Sequence, residues 1–418
     1  MLPVKQAEAL ILDLASPLSR HSPHQNTEVL DLLSASGRIL AAPVTSTLDF
    51  PHWDNSAMDG YAVRFADVQS CSIEQPVTLE IVEEIPAGYQ PQRLVQPGQA
   101  ARILTGAMMP AGADTVVMQE RTQRQGDRVT ILEAPEFKAF VRQRAAFYQA
   151  GTPLLQPGIS LNAPEIAVLA AAQCAQVTVY RRARVAILST GSELVAPDQP
   201  LQPGQIVDSN QYALAALVKQ MGAEPVLLGV VPDEPEALKQ AIAQAIATAD
   251  VVLSSGGVSV GDYDYVDEIL AALGAEIHIR AVAVKPGKPL TVATATSEST
   301  QAHSVLYFGL PGNPVSALVT FWRFVQPALR KLSGLAQGWK PTFIKARTQQ
   351  NLRSDGKRES YLWGHLQLVN GDYEFRLAGG SHSSGNLINL AQTNSLAVLP
   401  VGQTAIAAGA EVLVMKIN

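Results

Sequence analysis

Apolar and polar positions change rhythm several times along this chain, and each change predicts a different kind of element. Over residues 4–15, Ala7, Leu10, Ile11 and Leu14 fall on one side of a helix. A second helical pattern is read over 27–33, with Gly37 as the residue that would close it. From 48 to 146 the rhythm shortens. The runs 77–82, 101–104, 115–118 and 128–132 have strand length and are separated by Pro-Ala-Gly and Gln-Gly-Asp turns, which predicts a β-rich insertion.

From about 184 to 332 strand and helix patterns alternate. Residues 185–188, 225–231, 251–253, 282–284 and 305–308 are continuous apolar runs, suited to strands buried on both faces. One intervening helix carries Leu214, Leu217, Val218 and Met221 on one side, with Asn210 as its expected N-cap and Gly222 after its end. The prediction is a doubly wound α/β domain. Beyond about 340 the pattern is β again. Asn370-Gly371-Asp372 joins the runs 366–369 and 373–377 as a hairpin, and 412–415 closes a small C-terminal β-domain.

At 418 residues the chain exceeds one compact core, and about two to four domains are expected. A net charge of −6 lacks the basic excess of a general nucleic-acid binder. Cys71 and Cys174 supply no disulfide framework or zinc spacing, and each reads as a small buried hydrophobe. Glu8 and Asp13 interrupt the apolar N-terminal stretch, against a signal peptide. The longest apolar run, 166–172, is far short of the roughly 18–20 residues that span a bilayer. A cytoplasmic protein with no membrane partner is expected.

In open α/β sheets ligands bind beyond the carboxyl ends of the strands. Four segments there are unusual: Ser189-Thr190-Gly191-Ser192-Glu193; Ser254-Ser255-Gly256-Gly257-Val258-Ser259-Val260-Gly261-Asp262-Tyr263-Asp264; Lys285-Pro286-Gly287-Lys288-Pro289; and Leu310-Pro311-Gly312-Asn313-Pro314-Val315-Ser316. Glycines let the backbone approach a ligand, and N–H groups at helix starts favour oxyanions. Lys285 and Lys288 add positive charge, while Glu193, Asp264 and Asp233 suit Mg²⁺ bridging to phosphate. None of the four is a Walker loop or a dinucleotide fingerprint. Upstream, residues 51–62 mix turn formers with aromatics and a carboxylate, which on its own reads as a structured inter-domain loop.

Five motifs occur in order: Asn-Ser-Ala-Met-Asp-Gly-Tyr-Ala at 55–62, Ile-Leu-Thr-Gly-Ala at 103–107, Ser-Ser-Gly-Gly-Val-Ser-Val-Gly at 254–261, Lys-Pro-Gly-Lys-Pro at 285–289 and Leu-Pro-Gly-Asn-Pro-Val-Ser-Ala at 310–317. The series resembles the molybdopterin molybdenumtransferase family, bacterial MoeA and the C-terminal part of gephyrin, over essentially the whole chain. The resemblance implies a multidomain α/β layout. A linking α/β domain would take 25–47 plus 147–180, a β-rich insertion 48–146, a molybdopterin-binding domain 1–24 plus 181–333, and a C-terminal β-barrel 334–418. It implies insertion of molybdate into adenylylated molybdopterin with release of AMP and help from Mg²⁺. It also implies a homodimer whose active site is shared between subunits, with molybdopterin adenylyltransferase and apo-molybdoenzymes as further partners.

By the same resemblance Asp59, Glu193, Asp264 and Lys285 are catalytic; Glu193 and Asp264, joined by Asp233 on the chemistry of the acids beside the site, are the expected metal ligands. Thr105, Gly191, Ser192, Gly256, Gly257, Ser259, Lys288, Pro311, Gly312, Asn313, Ser316, Arg358 and Ser384 bind substrate. Asp59 and Thr105 would act across the dimer. A tetrahedral dianion suits the Lys, Arg and hydroxyl donors in this set.

Two positions depart from the family pattern. After Val141-Arg142-Gln143-Arg144, where relatives have a small residue and then acid, this chain has Ala145-Ala146-Phe147-Tyr148. Arg280 stands one place from the basic position usual before the Lys-Pro-Gly loop. The first departure is what an inactive, molybdopterin-binding paralogue would show. A molybdopterin adenylyltransferase would need only the central domain, and a scaffold would not need an intact Lys285 loop.

Overall fold

The structure is a computed structural model that describes residues 1–17, 26–257, 265–296 and 304–417. The chain divides into two compact units, one of Met1–Ala42, Pro157–Ala163 and Gln176–Asn418, the other of Pro43–Gln156 and Pro164–Ala175.

The larger unit holds a six-stranded sheet in the order Glu224–Val231, Arg184–Thr190, Val251–Ser255, Ser304–Leu310, Pro289–Thr296, Glu276–Ala281. The first four strands are parallel, and the last two join antiparallel. Successive side chains of a strand point to opposite faces. Val185 and Ile187 accordingly pack with Leu214, Val218 and Phe308 on one face. Ala186 and Leu188 pack with Leu238, Ile242, Ile269 and Tyr307 on the other. Helices cover both faces, so the strands need no polar alternation and the domain is doubly wound.

Two sequence expectations are corrected here. Residues 282–284 form no strand of this sheet. Val282 bridges Leu2, and Val284–Lys285 pairs in parallel with Glu359 and Ser360. The sheet instead takes Glu276–Ala281, a partly exposed edge strand, and Pro289–Thr296, whose Thr and Ala positions give a weak apolar signal. The second correction concerns 27–33. Thr27–Asp31 is a strand paired antiparallel with Gln176–Tyr180, not a helix. Thr27 and Val29 are β-branched and favour strand. Asp31 then accepts hydrogen bonds from the N–H groups of Leu33 and Ser34, turning the chain where a helix would continue.

At the C-terminal end, Phe343–Thr348, Glu359–Val369, Asp372–Leu377, Ser395–Leu399 and Glu411–Lys416 form a closed barrel, because Glu359–Val369 pairs with both Asp372–Leu377 and Ser395–Leu399. Asn370 (φ 51°) and Gly371 (φ 93°) supply the two positive φ angles of a tight hairpin turn. Barrel and sheet share an interior, since Tyr361 and Trp363 pack in the same core as Phe308 and Phe321. Buried Arg323 donates to the Glu8 carboxylate and to the Tyr361 hydroxyl, each at 2.9 Å. Losing Glu8 would strand a buried charge.

The smaller unit is built on a sheet ordered Thr115–Met118, Gly60–Val63, Gln99–Ile103, Val77–Ile85, Arg128–Ile131, Thr122–Gln125. Tyr61 and Val63 face one apolar cluster, and Ala62 faces another. This is the β-rich region read from the sequence. The apolar run 166–172 lies largely in the short helix Ala163–Ala171. No helix of the described residues is long and apolar enough to cross a membrane. Cys71 is buried, and burial pushes its thiol pKa up.

Candidate active site

The ends of the parallel strands enclose a cavity of about 430 Å³ in the larger unit. Its walls are backbone packed on backbone. Gly256 has φ +93°, and a Cβ there would lie 2.4 Å from the Thr190 carbonyl oxygen. A Cβ on Gly312 would lie 3.6 Å from the Gly256 Cα. The Gly256 N–H donates to the Leu310 carbonyl at 3.2 Å, binding two of the loops together. Asn210, expected as an N-cap, is the first residue of the helix Asn210–Gln220 and makes no cap. Its amide donates across the cavity instead, to Ser255 Oγ at 2.6 Å and to the Gly312 carbonyl at 2.8 Å.

This cavity is acidic. Glu193 and Asp233 both line it. Burial pushes the Asp233 carboxyl above its usual range. The Ser192 N–H that it accepts works against that rise, and the charge of Glu193 adds to it. Two such carboxylates favour a proton or a cation between them. Among the described residues no group of three or more His, Cys, Asp and Glu could hold a metal ion. Mg²⁺ is ordinarily held by one or two carboxylates with phosphate oxygens completing the shell, so the pair fits a cation shared with a phosphorylated ligand.

A second cavity, about 550 Å³, adjoins the first and has Pro289, Asn313 and Ser316 in common with it. It is basic, bordered by Lys285, Lys288, Arg353 and Arg358, with Ser384 also in its wall. The Lys285 loop follows Glu276–Ala281, which runs in the same direction as the parallel strands, so the loop still reaches their carboxyl edge. The barrel fastens it there. The Glu359 N–H donates to the Ala283 carbonyl at 3.0 Å, and Arg358 Nη1 donates to the Val284 carbonyl at 3.2 Å. Gly287 (φ +112°) presses on the helix Pro314–Thr320, where a Cβ would come within 2.5 Å of Thr320 Cγ2. The Val315 N–H donates to the Ser384 carbonyl at 3.0 Å, drawing the Ser384 loop to the same helix.

Lys285 Nζ donates to Asp355 Oδ2 at 2.9 Å. This bond, the Lys357 N–H and the nearby Arg358 charge hold the Asp355 carboxyl below the usual carboxylate range. His382 also lines the cavity, with its ring 4.4 Å from that of Trp363 and its Nε2 2.9 Å from the Ala378 carbonyl. Among the described residues its buried Nδ1 has no hydrogen-bond partner.

In the smaller unit Asp59 Oδ1 accepts from both the N–H and the hydroxyl of Thr105, each at 2.7 Å. The Thr105 hydroxyl contributes most to lowering the Asp59 pKa. Gly60 makes the corner possible, since a Cβ would lie 2.0 Å from the Val117 carbonyl oxygen. At the departure from the family pattern Ala145 has φ 61°, and Phe147 is 74% exposed. Arg280 is occupied elsewhere, paired with Asp267 at 2.7 Å.

The structure thus gathers Gly191, Glu193, Asp233, Gly256, Gly257, Pro311 and Gly312 around the acidic cavity. Lys285, Lys288, Arg358 and Ser384 surround the basic one, and Asn313 and Ser316 border both. Ser192 touches the acidic site through its backbone. Asp59 and Thr105 meet each other in the smaller unit. Ser259 and Asp264 lie outside the described residues. Arg353, Asp355 and His382 were not singled out from the sequence, and Asn210 was read there only as a helix cap. Ser354-Asp355-Gly356 reads as an ordinary turn.

Three family models match the chain in order: the MoeA N-terminal region (domain I and II) over 2–172, a "probable molybdopterin binding domain" over 186–331, and the MoeA C-terminal region (domain IV) over 345–417. The chain is 65% identical to the molybdopterin molybdenumtransferase of a Nostoc strain, over 99% of this chain and 93% of the relative. It is 36% identical to that of Haemophilus influenzae, over 94% of each. Among solved structures it is similar to the molybdopterin biosynthesis moeA protein from Pyrococcus horikoshii OT3, with TM-score 0.83, 29% identity and full coverage of both chains.

Proposed function

Because the chain belongs to the molybdopterin molybdenumtransferase family, we propose that its two adjoining cavities receive adenylylated molybdopterin and molybdate and join them, releasing AMP. The observation that carries this reading is the opposite charge of two cavities that share Pro289, Asn313 and Ser316. One suits a cation with a diphosphate, and the other suits a tetrahedral dianion.

In this reading the Gly256, Gly257 and Gly312 backbones let the pyrophosphate approach closely. Glu193 and Asp233 would hold Mg²⁺, which when bound supplies positive charge to the diphosphate oxygens. Lys285, Lys288 and Arg358 hold molybdate by charge-assisted hydrogen bonds, with Ser316 and Ser384 as hydroxyl donors. Water attacks the phosphoanhydride, whose P–O bond breaks with AMP leaving and the terminal phosphate staying on molybdopterin; the two dithiolene thiols then displace an oxo group from Mo(VI), which departs with their protons as water. The protein's share is positioning and electrostatics. We further propose, from the family resemblance, a homodimer in which Asp59 and Thr105 serve the substrate of a second copy. A molybdopterin adenylyltransferase would supply the substrate and apo-molybdoenzymes would accept the product.

The test is AMP release by purified protein given adenylylated molybdopterin, Mg²⁺ and molybdate. Molybdate-dependent release is expected, with Lys285→Ala slowing it by about 10- to 100-fold, the worth of one charge-assisted contact. The variant should keep its unfolding midpoint. Undiminished release by Lys285→Ala removes that assignment. The absence of acid at Ala146-Phe147 favours one second reading, an inactive paralogue, which would bind the substrate without turnover.

A further inference from the structure

We propose that Asp355 is a displaceable counter-ion: it occupies the Lys285 ammonium while the basic cavity is free, and an incoming oxyanion must take that ammonium from it. The inference rests on the reading of this cavity as the oxyanion site. It adds that a residue outside the binding set governs how tightly the oxyanion is held.

Among the described residues four cations border the cavity, Lys285, Lys288, Arg353 and Arg358. Among the described residues only Lys285 of these has a carboxylate in ion-pair contact, Asp355 at 2.9 Å. The two partners differ in freedom. Asp355 Oδ1 is fixed by the Lys357 N–H at 3.0 Å, leaving Oδ2 for the lysine. Lys285 carries its charge on a long flexible stem, so it is the partner free to move.

The pair is not needed to hold the loop. Backbone pairing of Val284 and Lys285 with Glu359 and Ser360 already does that. Both side chains are partly exposed, 46% and 32%, and such pairs contribute little to stability. Their electrostatic effect falls on the cavity instead. With Asp355 in place one of these four positive charges is neutralised, and its carboxylate, next in sequence to Ser354 of the cavity wall, lies against the lysine that a dianion is to reach. Asp355 therefore lowers oxyanion affinity and keeps the site from being filled by whatever anion is nearby.

The test is calorimetric titration of the full chain with sodium molybdate at neutral pH, for wild type, Asp355→Asn, Asp355→Glu and Lys285→Ala. Asp355→Asn keeps the shape and removes the charge, and it should bind molybdate about three- to tenfold more tightly. Asp355→Glu should stay near wild type, and Lys285→Ala should bind more weakly. If Asp355→Asn binds equally or more weakly while Lys285→Ala still loses affinity, the cavity reading stands and the counter-ion role falls. If wild type does not bind molybdate, or Lys285→Ala does not weaken binding, the cavity reading falls and takes the inference with it.

Discussion

The acidic and basic cavities share three residues yet are built in opposite ways. The acidic one is made of strand ends: Thr190, Ser255 and the loop after Leu310 come to one edge because parallel strands deliver them there. Its walls are held by backbone contacts, and at Gly256 they leave no room for a side chain. The basic one is made by docking. Its lysine loop is fastened by a barrel strand more than seventy residues later in the chain, and its cations sit on flexible side chains. A rigid glycine-walled site suits a ligand recognised by backbone approach. A set of mobile cations suits an ion that must be caught and then given up.

The largest effect is expected where the rigid wall is challenged. Gly256→Ala combines a positive φ with a Cβ 2.4 Å from a carbonyl oxygen. It should cost on the order of 2–4 kcal/mol of stability, read from the denaturation midpoint. A loss below about 1 kcal/mol would mean that this wall yields as easily as the basic one.

Asp233→Asn probes the acidic pole more gently. Burial and the Glu193 charge raise the native pKa of Asp233 above the usual carboxylate range. The folded state therefore holds that proton more tightly than the unfolded chain does. The group's contribution to stability is full at pH below its unfolded pKa and is lost as pH rises through the raised native value. Removing the charge should make the variant slightly more stable than wild type above that window, an effect kept small because the carboxyl is largely exposed and screened by solvent. MgCl₂ should narrow the difference by stabilising wild type. A variant less stable than wild type at neutral pH would contradict the sign.

The same contrast decides what the sequence made legible. The sheet rule located the acidic cavity because continuous apolar runs marked the parallel strands and glycines marked their ends. The basic cavity was legible only in its composition. Reading 282–284 as a sheet strand put the Lys285 loop at the correct edge for the wrong reason, since the strand that leads to it is Glu276–Ala281. Local patterning could not show that Val284 and Lys285 pair with a barrel strand, so Arg353 and Asp355 went unnoticed. Asn210 was missed because a residue at a helix start looks like a cap, and nothing local tells that its amide reaches two other loops. Thr27–Asp31 was misread because its partner, Gln176–Tyr180, is distant in sequence.

The measurement that bears most directly on the two-pole account is a molybdenum anomalous difference map from crystals of the full chain soaked in sodium molybdate. The account predicts one strong peak in the cavity bordered by Lys285, Lys288, Arg358 and Ser384, and none between Glu193 and Asp233. A peak on the acidic side, or none in the basic cavity, would contradict it.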